Sequence, residues 1–383
     1  MINLERSLAQ EIVERTMKII PFNVNVMDVR GIILGSGNPS RIGELHAGAR
    51  LALAQSRAVE LDTAVTRTLL GTKPGVNLPL TVRGQTCGVV GITGNPDEVR
   101  QFGELVRVMA EMILEQAQLV GELQHEKRYR EEFVDQLINQ SETSRAGLEV
   151  WGSRLGVDFS VPRSAIVLEL IDEAISPDLA MAELQSCQQY IANHDPLLLM
   201  AAVSPRELVI LKTFPVQDDE RKLVLLAREQ LFALDTVARK GLKSPAAMAL
   251  GVALPGIEAV PMAYQCAKRT FRVGRSRSRL GRLFSYYDLS FPVLLSGLGS
   301  GWQSVQLRQP LRRLQESDRR SGLLRETLDA WFSADCQLDR AARQLGIHRN
   351  TLDYRLRKIA EITGLDLARM SDRLMLYAAL QLD

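Results

Sequence analysis

The sequence is poor in the residues that build metal sites and disulfides. Its 383 residues hold four cysteines and four histidines. Cys87, Cys187, Cys266 and Cys336 are scattered, with no Cys-x-x-Cys pair. That spacing excludes a zinc ribbon and a disulfide framework, and it suits a reducing cytosol. Neither a metal nor a cofactor is expected. Long apolar runs are also missing, since none approaches the ~20 residues of a membrane span. Glu5, Arg6, Glu11 and Glu14 stand where a signal peptide would carry its apolar core. A soluble, cytoplasmic protein without membrane partners is expected. Charge of one sign is lacking too. With a net charge of only +2, any affinity for a polyanion must come from a local patch. No Gly-x-Ser-x-Gly elbow, Cys–His pairing or His-x-x-x-His pattern occurs, so no enzyme site is expected. What remains is ordinary globular material, 46% hydrophobic and 24% charged. The length suggests about two or three domains.

The most informative stretch is residues 338–359. Leu338, Ala341, Ala342 and Leu345 share one face of a short helix. Gly346 follows, where a helix end needs a residue that tolerates positive φ. Leu352, Leu356 and Ile359 mark a second amphipathic helix, with His348 at its N-cap. This is the pattern of a helix-turn-helix, whose second helix meets base edges in the major groove with its first turn. Arg349, Asn350 and Thr351 form that turn. Arg pairs bidentately with guanine and Asn with adenine. Asp353, Tyr354, Arg355, Arg357 and Lys358 lie off the apolar stripe, within reach of bases or phosphates. Double-stranded DNA is therefore the expected partner. A plain surface hairpin of helices explains the apolar spacing but not the Arg-Asn-Thr turn with its repeated arginines.

The first third reads as a helix over 4–20, a strand from Asn23, a turn at Asp28–Gly31 and a return strand from Ile32. Gly35-Ser36-Gly37 reads as a bland turn, because no helix starts directly after it, as a phosphate-binding loop requires. Residues 42–55 read as a helix, and 78–92 as a β-hairpin. A small antiparallel sheet with helices folded over it resembles PAS- and GAF-like sensor modules. The loop 71–77 offers Gly75 for close backbone approach. Arg41, His46, Lys73 and Asn77 could hold carboxylates by charge-assisted hydrogen bonds. Asn95-Pro96-Asp97-Glu98 is a strong helix start, and the helix could run to about Asn139. Phe102, Val106, Met109, Ile113, Val120 and Leu123 follow a 3–4 spacing along it. It reads as a signalling helix that could join two copies.

The middle third resembles a GGDEF (diguanylate cyclase) fold in its order of strands and helices. Ser204-Pro-Arg-Glu-Leu208 stands where that family carries Gly-Gly-Asp-Glu-Phe. Pro205 removes a donor and Arg206 replaces a carboxylate, so a two-metal phosphoryl-transfer site cannot be built. A catalytically dead domain is expected. Lys268, Arg269, Arg272, Arg275, Arg277, Arg279 and Arg282 form a basic segment that reads as a solvated face, with DNA phosphate as the alternative. Further on, Gly297–Gly301 reads as a linker, a helix over 323–332 should roof the helix-turn-helix, and Ser371 should cap a last helix.

Taken together, the chain resembles the carbohydrate diacid regulator family of transcriptional activators. Arg41-Ile-Gly-Glu-Leu-His46, Gly75-Val-Asn-Leu-Pro-Leu80, Gly91-Ile-Thr-Gly-Asn-Pro96 and Glu111-Met-Ile-Leu-Glu-Gln116 carry the resemblance. His348-Arg-Asn-Thr-Leu-Asp-Tyr-Arg-Leu356 also resembles the helix-turn-helix of purine-catabolism regulators. The expected architecture is multidomain α/β and α. It comprises a PAS/GAF-like α+β sensor with its signalling helix (1–135), a degenerate GGDEF-like α/β domain (136–295) and a C-terminal all-α helix-turn-helix (296–383). The resemblance implies an activator that responds to glucarate, galactarate or glycerate. It implies an inverted-repeat operator, RNA polymerase as a partner and a homodimer or higher homo-oligomer. A nucleotide cyclase or cyclic-nucleotide sensor is the alternative from another class. A structural DNA-binding protein with a vestigial sensor is a third.

Overall fold

A computed structural model describes residues 4–66, 73–139, 144–215, 219–299, 301–318 and 321–382. The chain divides into two compact units, Met1–Arg128 and Tyr129–Asp383. Its architecture is mixed α/β with two five-stranded sheets and a helical C-terminal part.

The first unit opens with α1 (Arg6–Met17), which stops four residues short of Pro21. Then come β1 (Asn23–Met27), β2 (Ile33–Ser36), a 3-10 turn at Pro39–Arg41 and α2 (Ala47–Gln55). They are followed by β3 (Val59–Leu61), α3 (Thr63–Thr66), β4 (Gly75–Val82), β5 (Gln85–Thr93) and α4 (Pro96–Asn139). The sheet is antiparallel, in the order β2-β1-β5-β4-β3. Side chains alternate between its faces. Val24, Val26, Leu78, Val90 and Ile92 pack with Ile12 and Val13 of α1 and with Val106 and Ala110 of α4. Met27, Ile33 and Val89 pack on Ala49 and Ala52 of α2. Arg83 and Gly84 turn the β4–β5 hairpin at positive φ, as a two-residue hairpin turn requires.

Two expectations need correction here. The helix expected over 42–55 begins only at Ala47. Gly43 sits at φ +93°, Leu45 bridges to Ile32 and His46 takes the N-cap, so Ile42–Leu45 is a turn and a strand bridge rather than helix. The hairpin starts at Gly75 rather than Leu78, so Gly75 and Asn77 are strand residues and not loop. Gly71 and Thr72 lie outside the described residues.

The second unit contains α5 (Arg145–Arg154), β6 (Arg163–Leu170), α6 (Pro177–His194), β7 (Leu199–Ser204) and β8 (Glu207–Thr213). It continues with α7 (Glu220–Ala238), β9 (Ala246–Leu250), α8 (Val260–Arg277), β10 (Leu283–Ser285) and α9 (Ser290–Ser296). The sheet order is β10-β9-β6-β8-β7, with only the β9–β10 pair parallel. Leu184 of α6 and Leu231 of α7 bury one face with Ile166, Ile210 and Met248. The other face meets Tyr264 and Ala267 of α8, and also Phe133 and Leu137 from the last turns of α4. Neither α5 nor α9 was expected from the sequence.

The C-terminal part is α10 (Trp302–Ser317), α11 (Leu323–Ser333), α12 (Leu338–Leu345), α13 (Arg349–Thr363) and α14 (Met370–Leu382). Leu314, Leu328, Trp331, Ala342, Leu352, Leu356, Ile359 and Leu376 form its core, so α11 does roof the hairpin. Ser371 is inside α14, not its cap, and its hydroxyl bonds Asp372 instead. Among the described residues, no helix is long and apolar enough to cross a membrane.

Candidate functional site

The C-terminal hairpin is built as its residue pattern requires. Gly346 ends α12 at φ +65°, in the left-handed region that a side chain would strain. Ile347 drops into the core beside it. The His348 ring then caps α13, its Nδ1 accepting the Asn350 N–H at 3.2 Å. Leu352, Leu356 and Ile359 fix α13 to the core, which leaves His348, Arg349, Asn350 and Thr351 exposed at its first turn. Tyr354, Arg357 and Lys358 continue that open face, and Tyr354 is 66% exposed. Three residues of the set also make contacts within the protein. Asp353 pairs with Arg357 at 2.7 Å. Arg355 turns back to donate to the Thr327 hydroxyl at 3.3 Å and so ties α13 to α11.

In the first unit, Arg41 and His46 flank the chain between β2 and α2. Arg41 is 8% exposed and donates to Glu44 at 3.3 Å. His46 is 6% exposed, and its Nδ1 caps α2 by accepting the Ala49 N–H at 3.2 Å. Burial, and then the charge of Arg41, hold its pKa down to about 4, with Glu44 acting the other way. The ring is neutral at pH 7, so its proton sits on Nε2, which is left as a donor. Two residues into α2, Gly48 abuts Asn77, for a Cβ there would stand 2.7 Å from Asn77 Nδ2. The fold thus brings Arg41, His46 and Asn77 into one neighbourhood. Lys73 is exposed, ahead of β4. Gly75 pairs with Thr93, and a Cβ on it would strike the Ile92 carbonyl at 2.1 Å. Close strand packing, rather than access for a ligand, explains that glycine. Sequence reading passed over Asn25, Ser36 and Thr93, which are polar residues on the Asn77 side of the sheet. The alternation Asn23-Val-Asn25-Val was the signal for them.

In the β7–β8 hairpin, Arg206 donates to the carbonyls of Glu173 and Ile175 at 2.8 and 2.9 Å. The Glu207 carboxylate accepts the Tyr264 hydroxyl at 2.6 Å and lies 3.9 Å from Lys268 Nζ. Burial and then this hydrogen bond push the Tyr264 hydroxyl above its usual pKa. In the basic segment, Arg275 reaches the Arg279 carbonyl and Arg277 reaches Gln381 of α14.

The family model for sugar diacid recognition matches residues 4–137. The GGDEF-like domain model matches 140–273, and the PucR C-terminal helix-turn-helix model matches 324–382. The carbohydrate diacid regulator of Escherichia coli (strain K12) is 45% identical over 100% of this chain and 98% of its own length. The chain belongs to the carbohydrate diacid regulator family. This family member is a transcriptional regulator whose DNA-binding module is the helix-turn-helix described above. An uncharacterized protein of Haemophilus influenzae is 34% identical, with 98% of both chains covered. The DNA-binding transcriptional activator AdeR of Bacillus subtilis is 27% identical over 69% of this chain and 61% of its own length. A solved regulator of polyketide synthase expression from Bifidobacterium adolescentis is 17% identical and covers 66% of this chain and 91% of its own, with a TM-score of 0.32. That likeness carries no argument.

Proposed function

We propose that the protein is a ligand-responsive transcription activator that senses a hydroxy-acid or diacid such as glucarate, galactarate or glycerate. Its first 135 residues form a PAS/GAF-like sensor, residues 136–295 a spacer without catalytic activity, and residues 296–383 the reader of DNA. The exposed first turn of α13 carries the reading. His348, Arg349, Asn350 and Thr351 stand clear of a packed core at the position from which this motif contacts bases. Arg349 and Asn350 select bases, while Tyr354, Arg357 and Lys358 contact the backbone or neighbouring base edges. Arg355 and Asp353 hold that face in place. In the sensor, Arg41 and the neutral His46 receive a ligand carboxylate, with Asn77 beside them. Lys73 adds charge from outside and Gly75 shapes the strand. Likeness to the carbohydrate diacid regulator of Escherichia coli supports an acid as the signal.

An inverted-repeat operator needs two readers about 34 Å apart. The exposed stripe Leu105, Val108, Met112, Leu119 and Leu123 on α4 supports a homodimer or higher homo-oligomer. RNA polymerase is the partner of the activating step. The test is calorimetric titration of the full chain with the three acids, beside its binding to inverted-repeat DNA. Heat from one acid that is lost in Arg41→Ala is expected. No heat from any acid removes the acid as signal, and formation of a cyclic dinucleotide from GTP overturns the non-enzymatic role of the middle domain.

A further inference from the structure

A row of buried amides crosses the middle of the sensor sheet. The register of β1, β5 and β4 sets Asn25 opposite Gly91 and Gly91 opposite Asn77. In the next row Thr93 lies between Asn23 and Gly75. Asn25 is 1% exposed, Ser36 0% and Asn77 3%. Burying such groups is costly unless each finds a partner. Asn25 does find partners. Its Oδ1 accepts the Ser36 hydroxyl at 2.7 Å and Asn23 Nδ2 at 3.3 Å, and its Nδ2 reaches Thr93 Oγ1 at 3.5 Å. Asn77 differs, for its Oδ1 is enclosed and accepts no hydrogen bond. That oxygen faces Gly91, where an added Cβ would lie 3.0 Å from it and 3.3 Å from Met27 Cε. Glycine at 91 thus removes the side chain that would separate the two asparagines. The flexible tip of Met27 lies close beside it.

We infer that the Asn25–Gly91–Asn77 row, with Ser36 and Thr93 at its edge, is the subsite that reads the hydroxyl groups of a polyhydroxylated acid. The inference rests on the acid-sensing reading above and adds the source of its selectivity. A carboxylate is matched by a guanidinium. A hydroxyl both donates and accepts, so it is matched by amides and hydroxyls, which do the same. His46 stands at one side of this row, because Gly48 in the first turn of the helix it caps touches Asn77, and Arg41 is near enough to His46 for its charge to act on the ring. Thr93 ends β5 and α4 begins at Pro96, so a ligand that engages Thr93 acts at the root of α4.

The test titrates the full-length protein with D-glucarate and galactarate, each against adipate, the six-carbon diacid without hydroxyls. Glycerate is titrated against propanoate in the same way. The wild type is expected to favour the hydroxylated acid by at least about 10-fold, which one hydrogen bond to a buried partner supplies. Asn77→Leu and the isosteric Thr93→Val are expected to bring that ratio toward one. Because both acids are measured on the same protein sample, any loss of folded protein cancels in the ratio. Unchanged ratios in both variants, or equal loss of both acids, overturn the subsite and leave the acid-sensing reading standing. If the wild type binds none of the hydroxylated acids, the acid-sensing reading falls and takes the subsite with it.

Discussion

At the scale of single residues, Arg349, Asn350 and Lys358 separate two kinds of DNA contact. A residue that pairs with a base edge discriminates by about 1–3 kcal/mol at one position. Arg349→Ala or Asn350→Ala is therefore expected to relax base choice at one position of each half-site, read by competition among operator variants. Equal loss across all sequences would remove their base-reading role. Lys358→Ala is expected to do what those two do not. It should weaken all sequences alike and flatten the dependence of log K on log salt by about 0.9 for each phosphate that is no longer neutralised. His46 carries a different prediction. Burial, and then Arg41, hold its pKa near 4, against 6.5 when unperturbed. Between those values the unfolded chain binds the proton that the folded chain refuses. No penalty exists above pH 6.5, and as pH falls toward 4 the fold loses on the order of 3 kcal/mol. Asn replaces His as an N-cap without titrating. The stability of the wild type relative to His46→Asn should therefore fall as pH drops through this window. A difference that stays flat would mean that the ring is protonated in the folded sensor.

At the scale of elements, α4 is the helix whose faces do the most different things. Its early turns bury Val106, Ala110 and Leu114 under the first sheet, and its last turns bury Phe133, Val134, Leu137 and Ile138 in the second unit. On its open face Met112 is 64% exposed and Leu119 50%. Met112→Lys with Leu119→Lys is expected to shift the protein from dimer to monomer in sedimentation and to weaken binding to a two-half-site operator far more than to a single half-site. A dimer that survives both charges would move the oligomer contact off α4. Much of this helix was legible in the sequence, since Asn95-Pro96 fixed its start and the 3–4 spacing its length. Its faces were less legible. Phe102, Val106, Met109, Ile113, Val120 and Leu123 were read as one seam for joining two copies, yet Val106 is buried in the core of its own unit while Val120 and Leu123 are exposed, because a periodic pattern does not say which apolar face the sheet will take. The α12–α13 hairpin was legible almost to the residue, since its turn chemistry and caps are local. Arg355 shows the limit of such reading. Its position off the apolar stripe suggested DNA, and only the packing of α11 turns it toward Thr327. The sensor row was harder still, because Asn25, Gly91 and Asn77 meet only through strand pairing across more than fifty residues of chain.

At the scale of the whole molecule, a net charge of +2 supplies little general attraction for DNA, so binding rests on local faces such as that of α13. On the proposed reading, regulation comes from coupling between acid and operator, and such coupling is reciprocal in binding free energy. If the acid tightens operator binding by some factor, the operator tightens acid binding by the same factor. Couplings of this kind typically span about 5–150-fold. Titrating the acid into free protein, and then into protein saturated with operator DNA, should give affinities that differ by that factor. Titrating DNA with and without the acid should return the same number. Thr93→Val is expected to lower both factors together, because Thr93 lies at the start of the segment that leads into α4. If the acid binds equally well with and without DNA, it is not changing DNA affinity. The acid would then have to act on a bound activator, after DNA binding, by altering how it engages RNA polymerase. A run-off transcription assay at saturating protein distinguishes the two, since only the second mechanism keeps its acid response when every operator is already occupied.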